Sequence, residues 1–366
     1  MANDGTERVY RVEELTGFTA ALFRGAGLAA ERAATVAELL VEADLMGHTT
    51  HGLALAPGYL GELEAGSMTA EGEPEVVADK GACVTWDGRR LPGVWLTARA
   101  VDLAVERSET YGTGTVVIRR SHHIACLAAF LPRATARNRM ILLASSDPWV
   151  GGRSVAPYGG LRAQFNPGPI AAGIPTSGGG GDPILIDMAS SITTNGLVAR
   201  RHKEGRRLPG AWVMDAAGRP SDDPGVLFAD PPGTILPIGG REYGHKGFGL
   251  VLMIEALSQG LAGFGRAEAP ERWGASVFVQ VFDPEAFAGF DAFVHETGFL
   301  AEACRNNPPA PGCARVRLPG ERGLELRRRA LAEGLRLYPG IMEGLSGWAA
   351  KLGVPVPEAM AAPARG

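Results

Sequence analysis

Apolar residues recur at helical spacing in the N-terminal stretch and then give way to short β-branched runs. Val12, Leu15, Phe18 and Leu22 follow that spacing and stop at Gly25 and Gly27, which predicts a first amphipathic helix. Residues 30–45 carry Val36, Leu39, Leu40 and Ala43 on one face and end near Gly47, and a third helix is expected over 53–64, closing at Gly66. From Pro74 the pattern changes. Cys83-Val84-Thr85-Trp86 followed by Asp87-Gly88 reads as a strand entering a turn. Helices over 96–107 and 125–137 then alternate with strands over 115–118 and 140–143, the signature of an α/β layer.

A glycine- and proline-rich stretch, 145–181, reads as a long loop ending in the glycine run 178–181. Beyond it the pattern predicts a strand over 184–186, helices over 192–203 and 248–260, and a strand over 276–282 before the Asp283-Pro284 turn. Helices over 291–304 and 321–335 follow, then a frayed end at 359–366. These changes divide the chain into an N-terminal helical part (1–72), an α/β domain (73–245), a C-terminal part packing on the N-terminal helices (246–345) and a tail (346–366).

Charge narrows the partners. The net charge is -4, and the densest basic run, Arg327-Arg328-Arg329, lies among Leu324, Leu326 and Leu331, as on a solvated helix face, so no nucleic-acid groove is expected. The first 18 residues lack the apolar core of a signal sequence. Residues 250–261 are broken by Glu255 and Gln259 and are too short to cross a bilayer. Cys83 and Cys126 sit in apolar settings, and no cysteine pair has CxxC spacing. Cys304 and Cys313 flank a proline-rich turn, but free thiols suit a reducing compartment better. A cytoplasmic protein is expected.

A Rossmann dinucleotide site needs GxGxxG between a strand and a helix. Gly112-Thr113-Gly114 precedes its strand, so the order is wrong. Gly244-His245-Lys246-Gly247-Phe248-Gly249 lacks that spacing. It still has the makings of an anion site: glycines permit close backbone approach, a helix start supplies free N–H groups, and Lys246 adds a cation. The plainer alternative is a helix start with one solvated lysine. Asp187-Met188-Ala189-Ser190-Ser191, at the end of a strand, is a second candidate for phosphate or ribose, and equally readable as an N-cap.

Four of the seven histidines fall in two clusters, His48/His51 and His122/His123. His48 and His51 share a face if their segment is helical, but no cysteine cluster accompanies them, so no metal is expected. Imidazole suits proton exchange beside a carbonyl, because its ordinary pKa lies near neutrality. Thr50 offers a hydroxyl to orient the His51 ring or to meet a substrate oxygen. Structural histidines are the plainer reading of each cluster.

The run from Asp44 to Gly52, with Tyr59 downstream, resembles the signature of the malate/L-lactate dehydrogenase family, which is separate from the Rossmann malate and lactate dehydrogenases. That family also includes ureidoglycolate, sulfolactate and diketogulonate enzymes and cyclic ketimine reductases. Further similar stretches are Ser121-His122-His123, Asn166-Pro167 with Pro175, Asp187-Met188-Ala189, Pro209-Gly210-Ala211-Trp212, Lys246-Gly247-Phe248-Gly249-Leu250, Asp283-Pro284 and Leu318-Pro319-Gly320-Glu321. The resemblance implies a mixed α/β, non-Rossmann nicotinamide-binding fold of the sulfolactate-dehydrogenase type, with a helical domain from both chain ends, in a homodimer. It implies NAD or NADP as cofactor and a small 2-oxo acid or 2-hydroxy acid as substrate. A cyclic ketimine is the alternative substrate, and a cofactor-binding homologue without turnover a third reading. By position His51 matches the proton donor and His123 the second histidine, while Asp187 to Ser191, His245, Lys246, Gly320 and Glu321 match cofactor contacts.

The departures bear on the substrate. Thr50 stands where the family has Ser, and Leu55 stands where it has a carboxylate-clamping Arg. His122, Ile124 and Ala125 replace Asn, Phe and Gly; Ser145-Ser146-Asp147 replaces Thr-Asn-Ser; Asn195-Gly196-Leu197 replaces Arg-Gly-Lys. His48 and Leu55 are expected near the substrate, with Arg119, Arg120, Arg153 and Arg162 as candidates for the displaced clamp.

Overall fold

The computed structural model describes residues 8–178 and 181–360. The start of the polar leader (1–7), the middle of the glycine run (179–180) and the end of the expected frayed tail (361–366) lie outside the described residues. The expected helices come first along the chain: α1 (Val12–Gly25), α2 (Ala30–Leu45), a 3₁₀ turn at Leu53–Leu55, and α3 (Ala56–Glu64). α1 turns Leu15, Phe18, Leu22 and Phe23 inward, as its apolar spacing dictates. α2 stops where Gly47 takes φ 84°, a left-handed conformation that glycine adopts without steric cost.

A seven-stranded sheet runs β2-β3-β4-β11-β5-β6-β7. Its strands are β2 (Glu75–Asp79), β3 (Cys83–Asp87), β4 (Thr113–Ser121), β5 (Met140–Ser146), β6 (Pro169–Ile174), β7 (Ile184–Ala189) and β11 (Ala275–Phe282). Only β3 and β4 are parallel, joined across α4 (Gly93–Tyr111); every other neighbour is antiparallel. That single βαβ unit inside an antiparallel sheet is incompatible with a Rossmann layer, whose strands are mostly parallel.

Small pairings complete the chain: β1 (Val9–Tyr10) with β12 (Leu335–Arg336), and β8 (Val213–Met214) between β9 (Pro220–Ser221) and β10 (Thr234–Ile235). The remaining helices are α5 (Pro132–Thr135), α6 (Asn195–Lys203), α7 (Gly240–Glu255), α8 (Phe290–Arg305), α9 (Glu321–Glu333) and α10 (Ile341–Leu352). Both chain ends meet, because Ile341, Met342, Leu345 and Ala349 of α10 enter the same core as α1 to α3 and α4. α10 therefore runs across position 346, where a tail was expected to begin.

Three expectations are corrected. Residues 125–137 are not one helix but a 3₁₀ turn, Leu127–Phe130, followed by short α5; Ala125 takes φ 61°, and Pro132 has no N–H to continue the ladder. The stretch 145–181 is not all loop: β5 extends to Ser146, and β6 pairs with β5 and β7. The helix expected from 248 begins at Gly240, with non-helical geometry at Tyr243, and passes into a π turn at Ala256–Gly260.

Candidate active site

The loop between α2 and α3 carries His48, Thr50 and His51, and one buried carboxylate shapes it. Asp44 Oδ2 accepts the Leu53 N–H at 2.6 Å, turning the chain back over the end of α2. Gly52 lies so close that a Cβ there would stand 2.3 Å from Asp44 Oδ2, so only glycine fits. Burial pushes the Asp44 carboxyl up to about 7, against the Leu53 N–H and the Arg200 charge. Arg200, on α6, fastens the other side of the loop with Nη1 on Thr49 Oγ1 (2.9 Å) and Nη2 on the Thr49 carbonyl (2.8 Å), its guanidinium 3.7 Å above the Tyr338 ring. Thr50 Oγ1 then lies 2.8 Å from His51 Nδ1.

The second histidine pair follows β4. α4 starts directly against it: a Cβ on Gly93 would lie 1.9 Å from the His122 carbonyl. His123 Nδ1 stands 2.6 Å from the Tyr59 hydroxyl and takes the Ala125 N–H at 3.3 Å. With donors on Nδ1, the proton of the neutral ring sits on Nε2. Trp273 packs 4.8 Å from the His123 ring and 5.0 Å from His122. Burial, then the neighbouring His51 and His122, hold His123 well below the usual histidine range. His122 is fully enclosed, its Nε2 3.3 Å from Glu62 Oε2, and burial with the Arg90 charge lowers it to about 3.

His51 and His123 face one another with ring centroids 6.4 Å apart in a cleft of about 490 Å³. His48, Thr50, Leu55, Asp187, Met188 and Ala189 line the same cleft, so β7 delivers its end to the histidine loop. Burial lowers the His51 pKa; the Asp187 charge opposes the shift, and His48 and Arg200 reinforce it. Asp147, also in the cleft, is raised to about 7 by burial against the Trp149 N–H and Arg266. Among the described residues that line the cleft there is no lysine or arginine.

The other expected residues are placed as follows. Ser190 and Ser191 are buried just past β7; Ser190 Oγ has no partner, and Ser191 Oγ donates to the Thr193 carbonyl at 2.6 Å. A Cβ on Gly247 would meet the Ser190 carbonyl at 2.8 Å, so α7 brings exposed His245 and Lys246 to that stretch. They stand just past the break at Tyr243, in the first turn of the helical stretch that runs on to Glu255, and Lys246 Nζ lies 5.3 Å from the Tyr243 ring centroid. Gly320 packs on Leu185, near the other end of β7. Glu321 pairs with Arg305 at 2.6 Å and Arg315 at 3.3 Å. Arg119 and Arg120 turn to Asp87 of β3 rather than to the cleft, Arg119 at 2.9 Å. Burial alone would raise Asp87, but hydrogen bonds from Arg120, the Arg89 N–H and Arg119 hold it below the usual range. Arg162 is exposed, and Arg153 follows the lining residues Gly151 and Gly152 with its Nε buried and unpartnered.

Arg200 and Trp273 escaped the reading of the sequence, and Cys126 was legible there only as a thiol in an apolar setting. Arg200 grips Thr49 across 151 positions of chain, and no local pattern announces such a contact.

A family profile described as malate/L-lactate dehydrogenase matches residues 10–346. An L-lactate dehydrogenase of Cupriavidus necator is 31% identical over 335 residues, covering 90% of this chain and 94% of that one. A malate dehydrogenase structure from Entamoeba histolytica superposes with TM-score 0.89 at 22% identity, covering 96% and 99%, which shows the shared fold. The delta1-piperideine-2-carboxylate reductase structure from Pseudomonas syringae superposes with TM-score 0.79 at 27% identity, covering 93% and 100%. With its two histidines facing one another beside Asp187 on a sheet of this topology, the chain belongs to the malate/L-lactate dehydrogenase family, a family of hydroxy-acid dehydrogenases.

Proposed function

We propose that this enzyme interconverts a small 2-oxo acid and its 2-hydroxy acid, using NAD or NADP. The observation that carries the reading is the pairing of His51 and His123 across one cleft, 6.4 Å apart, with Asp187 beside them. The bound nicotinamide supplies or accepts the hydride. Orphaned buried hydroxyls, Ser190 Oγ and Thr193 Oγ1, and the close approach at Gly247 suit a polar cofactor held by residues Asp187 to Ser191 with His245 and Lys246.

In oxidation, neutral His51 takes the hydroxyl proton as hydride leaves the carbon. Its lowered pKa supports that role near neutral pH, and the Asp187 charge stabilises the imidazolium formed. In reduction the proton returns by the same path. Thr50 fixes the His51 ring, and the Nε2–H of His123 holds the substrate oxygen, with Tyr59 keeping His123 in that tautomer. For the substrate carboxylate, with Leu55 in the cleft, we take Arg153, which directly follows the lining residues Gly151 and Gly152 and keeps its Nε buried without a partner. We also take the working form to be a homodimer, for which the exposed Leu252, Met253 and Leu261 offer apolar surface.

A second reading, reduction of a cyclic C=N bond, is favoured by Asp147, a carboxyl in the cleft suited to an iminium nitrogen. Absorbance of the reduced nicotinamide, followed with a panel of 2-oxo acids and cyclic imines, separates the two. His51→Ala should lower turnover on the preferred substrate about 10²- to 10⁴-fold, the usual size of an acid–base contribution. Wild-type turnover in that variant would refute the assignment.

A further inference from the structure

By spacing alone, His48 has no cysteine partner. The fold supplies one. His48 leaves the end of α2, Cys126 lies in the segment after β4, and Asp187 stands on β7, yet their ligand-type atoms all lie within 4.8 Å of one another. Cys126 Sγ stands 3.6 Å from Asp187 Oδ2. Around tetrahedral Zn²⁺, with Zn–S of about 2.3 Å and Zn–N or Zn–O of about 2.0–2.1 Å, neighbouring ligand atoms are roughly 3.3–3.7 Å apart. The thiol and carboxylate already have that spacing, and His48 closes the remaining gap by about an ångström of side-chain rotation.

We propose that His48, Cys126 and Asp187 bind one zinc ion in the cleft, with the fourth coordination position open to it. Imidazole, thiolate and carboxylate together favour zinc over magnesium or calcium, which prefer oxygen alone. The carboxylate is already oriented from behind: Asp187 Oδ2 accepts the Ala128 N–H at 2.8 Å, the kind of outer contact that fixes a ligand in place. Cys126 is buried, where a bare thiolate is unfavourable, and the cation compensates that charge as the thiol proton passes to solvent. Zinc binding needs only these three side chains and is independent of the hydride reading. One consequence does rest on that reading: Asp187 bound to zinc no longer supports His51, so zinc and turnover compete.

The test uses the full chain freed of metal by a chelator. Titration with Co²⁺ should develop the visible bands of tetrahedral cobalt and a near-ultraviolet thiolate charge-transfer band, and excess Zn²⁺ should displace it. Equilibrium dialysis should give one zinc per chain. Cys126→Ala should abolish the charge-transfer band, and Cys126→Ala and His48→Ala should each weaken zinc binding roughly 100-fold, with circular dichroism verifying the fold. A wild-type protein that binds no zinc, or a folded Cys126→Ala variant that binds it equally well, overturns the proposal. Because no step is read by activity, failure here leaves the dehydrogenase reading untouched.

Discussion

Asp44→Asn tests the carboxyl that shapes the histidine loop. Asp44 is 5% exposed, gives Oδ2 to the Leu53 N–H and leaves Oδ1 buried without a partner. Its folded pKa of about 7, against 3.8 for an unperturbed aspartate, means the native state holds a proton that the unfolded chain releases. For an acid shifted in this direction, stability is full below the unfolded pKa and falls as pH rises from about 4 through 7. At about 1.4 kcal/mol per unit, the ceiling is about 4 kcal/mol above pH 7. Asparagine keeps an oxygen for the Leu53 N–H and removes the charge, so the variant should lose this component of the pH dependence. Urea unfolding at pH 5.5 and pH 8 measures it. Only the part of the fall between pH 5.5 and the folded pKa is sampled, so the Asp44→Asn protein should gain on wild type by about 2 kcal/mol between the two pH values. Any constant offset that the amide introduces cancels. Because Asp147 is raised in the same way, the quantity to read is the difference between variant and wild type. A difference that does not change with pH refutes the reasoning.

Tyr59→Phe keeps the buried ring but removes the hydroxyl on His123 Nδ1, and should lower turnover about 5- to 10-fold, the equivalent of one neutral hydrogen bond, with cofactor affinity unchanged; equal loss in both would mark a packing defect. Lys246→Ala should weaken nicotinamide binding by about 1.5–3 kcal/mol, the range for a charged hydrogen bond, and calorimetry showing no loss would remove Lys246 from the cofactor site. Arg153→Ala should raise KM for a 2-oxo acid about 10- to 100-fold with a smaller effect on kcat; an unchanged KM would take the carboxylate away from Arg153.

The sequence by itself determined most of the elements and the identity of the histidines. α1, α2, α4 and α9 are legible because each buries a stripe at helical spacing or ends at a glycine that allows left-handed geometry, as at Gly47, Gly112 and Gly334. Residues 125–137 misled because alanine and leucine favour a helix, whereas the fold needs this segment bent beneath β7, where Ala128 N–H meets Asp187. β6 was hidden because its small residues carry no alternation; its strand exists through pairing on both sides with β5 and β7. The histidines were recognisable as local motifs, but their relation was not. Only the folded chain sets His51 opposite His123, gives Arg119 and Arg120 to Asp87, fastens Thr49 to Arg200 and places Cys126 beside Asp187. Local spacing fixes which face of an element is apolar, through the periods of helix and strand. The distance between two side chains on different elements depends on how those faces pack, and that is decided by burial over the whole molecule.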